Sequence, residues 1–231
     1  MKKGSPLRAI AAFIIAFGFP IGFFTYFYIH RAHYDFPPKY YPIGTEQRIV
    51  DGETLTDTVF HTLPDFQFIS QTGDTITKEN VKGKIFVADF FFSTCQTICI
   101  DMADQMERVQ KFIEDKDDVM ILSHTVDPET DSVPVLKAYG DHHEANPKKW
   151  LLLTGEKTEL YRLAREGYKI TATEGDGGIN DFIHSNRFTL VDSLFQIRGY
   201  YDGTDSVSVD KLFHDIELLQ LEKNVLTDKE G

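Results

Sequence analysis

Hydrophobic residues fall into one uninterrupted run near the start of the chain and a long series of short periodic segments after it. From Ala9 to Ile29 the chain has 21 residues without a charge, rich in Ile, Phe and Ala. About 20 apolar residues are needed to cross the hydrocarbon core of a bilayer. The run therefore predicts one N-terminal transmembrane helix at about residues 9–29, within a membrane anchor formed by residues 1–34.

Two other kinds of N-terminal segment are also apolar. A cleaved signal peptide has an apolar core of roughly 7–15 residues followed by small residues at its cleavage site, and this run is longer and lacks such a site. A mitochondrial transit peptide is rich in basic residues, whereas only Lys2, Lys3 and Arg8 precede the run. We therefore favour an uncleaved anchor. The positive-inside rule then places the N-terminus in the cytoplasm and the C-terminal body on the periplasmic or extracytoplasmic side of the cell inner membrane.

Strand and helix patterns alternate along the rest of the chain. Three prolines and a glycine (residues 37, 38, 42 and 44) disfavour regular structure, so residues 35–57 are predicted to be a linker. Residues 58–231 are predicted to form one α/β sandwich. The predicted strands are 65–70, 85–92, 119–126, 150–153, 187–191 and 194–200, and the predicted helices are 98–114, 132–139, 157–165 and 207–221.

The charge distribution argues against nucleic acid as a partner. All 36 acidic residues begin at Asp35, whereas four of the 24 basic residues precede it, so the remainder of the chain has a net charge near −16. Such a body repels phosphate backbones and anionic lipid surfaces. We expect an acidic, monomeric body.

The two cysteines of the chain, Cys95 and Cys99, directly follow the apolar run 86–92. A strand that leads through a turn into a helix leaves the first thiol near a helix N-terminus, where the macrodipole lowers its pKa. The second thiol follows about one helical turn later on the same face. Such a pair can form a disulfide, act as a redox pair or hold one soft metal ion.

Eight histidines are available as a third ligand. His184 stands between a glycine-rich loop at residues 174–178 and the strand at 187–191, where a mobile segment could bring it over the cysteines. His124 lies within an apolar strand and is predicted to be a core residue, and His142 and His143 are predicted to end a solvated helix. Two thiolates and one imidazole favour copper over structural zinc, which takes four protein ligands.

Four blocks in a fixed order resemble the Sco (SenC) family of copper-binding proteins, over about residues 63–221. The matching segments are the cysteine motif at 90–99, Ser123-His124-Thr125-Val126-Asp127-Pro128-Glu129 with the Thr130-Asp131-Ser132 that follows, the helix and strand at 136–139 and 150–155, and His184-Ser185 before the strand 188–192. The resemblance implies a thioredoxin-like fold, a three-layer sandwich with a central mixed β-sheet. One departure is that Gln96 and Ile100 stand where the family usually has proline.

The resemblance also implies a function. Cys95, Cys99 and His184 would bind one copper ion, as Cu(I) or Cu(II), and the client would be the copper centre of cytochrome c oxidase subunit II. We therefore expect a metallochaperone rather than an ordinary enzyme. Two alternatives remain open: a thiol–disulfide oxidoreductase in which Cys95 attacks the client's disulfide and Cys99 resolves the mixed disulfide, and a copper or redox sensor.

Overall fold

A computed structural model of the chain describes residues 14–29, 35–50, 52–95, 98–170 and 185–230. The chain divides into two units, Met1–Asp35 and Phe36–Gly231. In the first unit, a π-helical turn spans Ile14–Gly18 and helix α1 spans Phe19–Ile29. The sequence predicts a transmembrane helix at about residues 9–29, of which residues 9–13 lie outside the described ranges. No helix among the described residues is both long and apolar enough to cross a membrane.

A β-hairpin occupies much of the segment that the sequence assigns to an irregular linker. Strand β1 (Pro42–Val50) pairs antiparallel with β2 (Glu53–Phe60). Pro42 is tolerated because it is the first residue of its strand, and Gly52 adopts a φ of 84° in the turn, a conformation that favours glycine. The prediction of irregular structure was wrong here because the prolines end where a β-favouring stretch of Thr, Ile and Val begins. The domain boundary at residue 58 stays a prediction.

The second unit is built on a seven-stranded mixed sheet. After the hairpin, its strands are β3 (Gln67–Ser70), β4 (Thr75–Thr77), β5 (Ile85–Phe91), β6 (Val119–Thr125), β7 (Trp150–Thr154), β8 (Arg187–Val191) and β9 (Ile197–Asp202). The spatial order is β4-β3-β7-β6-β5-β8-β9. The pairs β5–β6 and β6–β7 are parallel, whereas the outer pairs are antiparallel.

Helices cover both faces of this sheet. They are α2 (Ile98–Phe112), α3 (Val133–His142), α4 (Lys157–Arg162), which continues as a π-helical turn at Leu163–Gly167, and α5 (Ser206–Glu230). Met106 of α2, Leu136 of α3 and Ile216 of α5 belong to one buried cluster. Leu160 of α4 belongs to the other. The predicted α/β sandwich is therefore confirmed.

Strand β5 is the central element that carries the cysteine motif. Its seven residues are all buried, and alternate side chains enter the two clusters: Val87 and Phe91 on the α2 face, Phe86 and Phe90 on the other. A strand covered on both faces is apolar along most of its length, which explains why Asp89 is the single charged residue in β5.

Several element boundaries differ from the prediction. Strand β9 begins at Ile197 instead of residue 194, because Asp192 forms a turn in which its carboxylate accepts the backbone N–H groups of Leu194 and Gln196, each at 2.9 Å. Helix α5 continues to Glu230. The predicted glycine-rich loop at 174–178 lies outside the described residues.

Candidate functional site

The cysteine motif follows β5 at the edge where the neighbouring parallel strand β6 also ends, since Phe91 is paired with Thr125. The backbone N–H of Cys95 donates to the carbonyl of Phe92 at 3.2 Å, which closes a turn. Helix α2 begins at Ile98. Cys99 therefore lies in the first turn of α2, whereas Cys95 precedes the helix.

The two cysteines, both present as thiols, differ in exposure. Cys95 is partly exposed, and Cys99 is only 7% exposed. Burial, followed by a hydrogen bond with the Cys95 thiol, raises the pKa of Cys99 to about 12. Because the thiolate is the nucleophile, the arrangement presents Cys95 to solvent and keeps Cys99 protonated and protected.

A groove of about 340 Å³ opens beside the thiols. Its walls come from the loop before Cys95, from α2 and from α3, and its lining residues are Phe92, Ser93, Cys95, Cys99, Ile100, Asp104, Glu107, Tyr139, His142 and His143. The ring of Tyr139 lies 5.0 Å from that of Phe91, and Nδ1 of His143 lies 2.8 Å from a carboxylate oxygen of Glu107. Thiols, imidazoles and carboxylates thus share one groove.

A buried polar chain crosses the sheet near the cysteines. Asp89 of β5 accepts a hydrogen bond from the Ser123 hydroxyl of β6, and the Ser123 oxygen accepts the indole N–H of Trp150 at 2.8 Å. Burial raises the pKa of Asp89 to about 7. Burial is also the main cause of the raised pKa values of Cys99 and Tyr139, and the Asp89 carboxylate adds to both.

A second buried carboxylate, Asp131, connects the loop before Cys95 to the end of β6. It accepts hydrogen bonds from the backbone N–H of Ser93 at 3.2 Å and from the hydroxyls of Ser93 and Thr125. The sequence pattern did not mark Asp131 as a site residue. The available signal was its place in the block at 123–132, but an acidic residue before a predicted helix is also typical of an ordinary helix start.

The histidines have different surroundings. His184, the predicted third ligand, lies outside the described residues, as does Gln96. His124 is fully buried, as predicted, with its ring 5.1 Å from that of Phe90 and its Nε2 3.1 Å from the Tyr168 hydroxyl. His142 and His143 line the groove, a placement that the sequence did not predict because it depends on α2 and α3 packing side by side.

Soft metal chemistry is supported by the donor atoms of the pair. Cys95 and Cys99 offer two sulfur ligands of the kind that Cu(I) prefers. Within the described ranges, no group of three or more His, Cys, Asp or Glu side chains is arranged to hold a metal ion. The three-ligand set of Cys95, Cys99 and His184 therefore stays a prediction.

These features define an α/β protein with a mixed central sheet and a thiol pair at the carboxyl end of a central strand. The family model described as SCO1/SenC matches residues 56–219. The chain therefore belongs to the SCO1/SenC family, and its fold is the thioredoxin-like fold of that family.

Individual relatives agree with this assignment. The SCO1 protein homolog of Bacillus subtilis (strain 168) is 29% identical over 168 residues, which cover 72% of this chain and 86% of the relative. A SCO1/SenC family lipoprotein from Bacillus anthracis is 30% identical with a TM-score of 0.61, covering 69% of this chain and 95% of that structure.

Two further similar structures are described by their disulfide or their copper. BsSco, described as having a disulfide switch and as a member of the Sco family of cytochrome c oxidase assembly proteins, is 29% identical with a TM-score of 0.60 and covers 69% and 93% of the two chains. Yeast Sco1 with copper bound is 26% identical with a TM-score of 0.53, and the match covers 68% of this chain and 88% of that structure.

Proposed function

We propose that this protein is a membrane-anchored copper metallochaperone that carries one copper ion to the copper centre of cytochrome c oxidase subunit II. The observation that carries the proposal is the pair of thiols at the groove, one partly exposed and one buried, in a chain whose fold is similar to that of yeast Sco1 with copper bound. In this proposal copper is cargo, so the site must both hold it and release it.

The donor set suits a cargo of this kind. Cys95 and Cys99 bind copper through sulfur, and His184 supplies the third ligand through an imidazole nitrogen. A three-coordinate site leaves room for an incoming ligand from the client, so that ligands exchange one at a time within a shared complex. Cys95 is the sulfur that the client reaches first, because it is the more exposed of the two.

The family and the sequence support the proposed client and location. BsSco is described as belonging to a family of cytochrome c oxidase assembly proteins, and we propose the same role here, with subunit II as the partner. The uncharged run at residues 9–29 supports an N-terminal anchor in the lipid bilayer, with the N-terminus cytoplasmic and the thioredoxin-like domain outside.

Copper titration of the reduced full-length chain in detergent tests the proposal. We expect a one-to-one complex with thiolate-to-copper charge-transfer absorption, and we expect Cys95→Ser, Cys99→Ser and His184→Ala each to abolish it. His142→Ala is the matched control, because His142 is an exposed imidazole in the same groove. Retained stoichiometric binding in His184→Ala would remove His184 from the ligand set, and binding that is indifferent to all three residues would refute the proposal.

A second function, reduction of a client disulfide, is favoured by the unequal burial of the thiols. Cys95 as thiolate attacks one sulfur of the client disulfide and releases the other as a thiolate, which takes up a proton. Cys99 then loses its proton and attacks the Cys95 sulfur of the mixed disulfide. The client leaves with two thiols, and the Cys95–Cys99 pair ends as a disulfide.

Metal-free assays separate the two functions. If reduction is the function, metal-free protein consumes a disulfide substrate, Cys95→Ser stops the reaction and His184→Ala leaves it unchanged. If His184→Ala abolishes the function in cells while metal-free reduction persists in the assay, copper delivery is the function.

A further inference from the structure

The carboxylate of Asp131 lies in the loop between β6 and α3 and is fully buried. Each of its oxygens lies within hydrogen-bond distance of the Ser93 backbone N–H, at 3.3 and 3.2 Å. It also accepts the hydroxyls of Ser93 and Thr125. Among the described residues no ion pair includes Asp131, and the donors described for it, in Ser93 and Thr125, are neutral.

The donors on one side belong to the loop that carries Cys95. Ser93 contributes both its backbone N–H and its hydroxyl, and it stands two residues before Cys95. The intervening turn is closed by the hydrogen bond from Cys95 N–H to the carbonyl of Phe92. Because Ser93 is held at two atoms, the start of this turn is fixed relative to β6.

The opposite side of the same carboxylate fixes the loop that leads into α3. The Thr125 hydroxyl donates to Asp131 and accepts the backbone N–H of Asp127 at 3.0 Å. The backbone N–H of Asp131 donates to the carbonyl of Asp127 at 2.8 Å. Helix α3 begins two residues later, at Val133, and carries the Tyr139 wall of the groove.

We propose that Asp131 is a positioning residue which, acting through Ser93, holds Cys95 against Cys99 and so sets how readily the pair forms its disulfide. The inference deepens the proposed function and rests on the same thiols. Holding two reacting groups together raises their effective concentration, so releasing Ser93 weakens the disulfide. Copper takes no part in this effect.

The test is the redox equilibrium of the full-length chain, in detergent and without metal, with oxidised glutathione. In this reaction the two thiols lose two electrons and two protons, one S–S bond forms between them, and oxidised glutathione becomes two glutathione thiols. We expect Ser93→Ala and Asp131→Asn to lower the equilibrium constant about tenfold, equivalent to about 30 mV for a two-electron couple. We expect Ser93→Thr, which keeps the hydroxyl, to restore it.

Glu129→Gln is the matched control, because Glu129 is an exposed carboxylate in the same loop. Circular dichroism checks folding, and if Asp131→Asn does not fold, Ser93→Ala decides the matter. Redox equilibrium constants of the folded Ser93→Ala and Asp131→Asn variants within about twofold of the parent chain would overturn the proposal. An equal shift of the constant in Glu129→Gln would also overturn it, and so would a Ser93→Thr variant with the same constant as Ser93→Ala. A negative result here would leave the copper titration unaffected, so the two proposals fail separately.

Discussion

Asp89 is a buried carboxyl group that makes stability depend on pH near neutrality. Its pKa of about 7 lies above its ordinary value of 3.8 because of burial, so the folded protein keeps a proton that the unfolded chain has already lost. The contribution of this bound proton to the stability of the folded protein is complete below about pH 4 and is lost as the pH rises to about 7. We expect Asp89→Asn to remove this decline in the free energy of unfolding, which amounts to up to about 4 kcal/mol above pH 7. Urea unfolding from pH 4 to 8 measures it.

Comparison with matched variants is needed because another buried group titrates with the opposite sign. Burial lowers the pKa of His124 to about 3, so its contribution to stability falls as the pH drops below about 6.5. Asp101→Asn alters an exposed carboxylate on α2 and should reproduce the parent curve. If Asp89→Asn also reproduces it, the buried carboxyl group is not the cause of the decline.

The unequal burial of the cysteines predicts unequal thiol reactivity. Burial and the hydrogen bond with Cys95 raise the pKa of Cys99 to about 12, so almost none of it is thiolate at pH 8. We expect iodoacetamide to alkylate Cys95 in Cys99→Ser at least about tenfold faster than Cys99 in Cys95→Ser. Mass spectrometry over time gives both rates, and unfolded samples of the two variants provide the intrinsic rates. Equal rates in the folded variants would contradict the assignment of Cys95 as the attacking thiol.

At the scale of elements, a buried arginine on β9 joins segments that are far apart in the sequence. Arg198 is 3% exposed, and its Nη1 lies 3.0 Å from Asp192 and 2.7 Å from Glu222 of α5. Its Nε donates to the carbonyl of Pro37 at 3.0 Å. We expect Arg198→Met to lower the free energy of unfolding by about 3–5 kcal/mol, because it leaves Asp192 buried without its cation.

A surface arginine provides the comparison. Arg162 of α4 lies 2.7 Å from Glu159, and its partner's side chain is 52% exposed. Solvent screens such pairs, so Arg162→Met should change stability by no more than about 1 kcal/mol. Equal losses for the two variants in urea unfolding would show that burial does not distinguish them.

The sequence predicts the elements that are specified locally. The apolar run of β5 and the amphipathic pattern of α2 are visible in single segments, and the structure confirms both strand and helix. The cysteine motif is also found this way, because its two thiols are four residues apart. The hairpin β1–β2 was not predicted, because three prolines and a glycine that disfavour regular structure stand before it or at its start, and the β-favouring residues come after them.

Contacts between distant segments could not be predicted from the sequence. Asp89 and Ser123 stand on paired strands, and nothing in either segment reveals that the pair is buried beneath the cysteine motif. Asp131 reaches Ser93 across 38 positions, and the position of His142 in the groove depends on how α2 and α3 pack. Such relations arise from tertiary packing, which periodicity within one segment does not encode.

At the scale of the whole molecule, the distribution of charge bears on the proposed attachment of the protein to a membrane. The chain after residue 34 has a net charge near −16, which repels anionic lipid surfaces. If the proposed location holds, we expect attachment to come from the uncharged run at residues 9–29. We expect the full chain to sediment with membranes after washing with high salt or carbonate, and to be extracted only by detergent.

A variant that lacks residues 1–34 is the matched sample for this fractionation, and we expect it in the supernatant. Release of the full chain by carbonate would contradict an integral anchor. Sedimentation of the shortened variant would instead place the attachment in the body.

The hairpin has a consequence for the lifetime of the protein. In the described sheets β1 and β2 pair only with each other, and almost all of their residues are exposed. Exposed loop tips are preferred sites of proteolytic cleavage, so we expect limited proteolysis to cut the chain at the tip of the hairpin. Because the hairpin stands between the N-terminal run and the cysteine motif, one cut at its tip breaks the covalent connection between them, while the pairing of β1 with β2 still holds the two pieces together. Release of the part of the chain that carries both thiols would then depend on how fast the two paired strands separate.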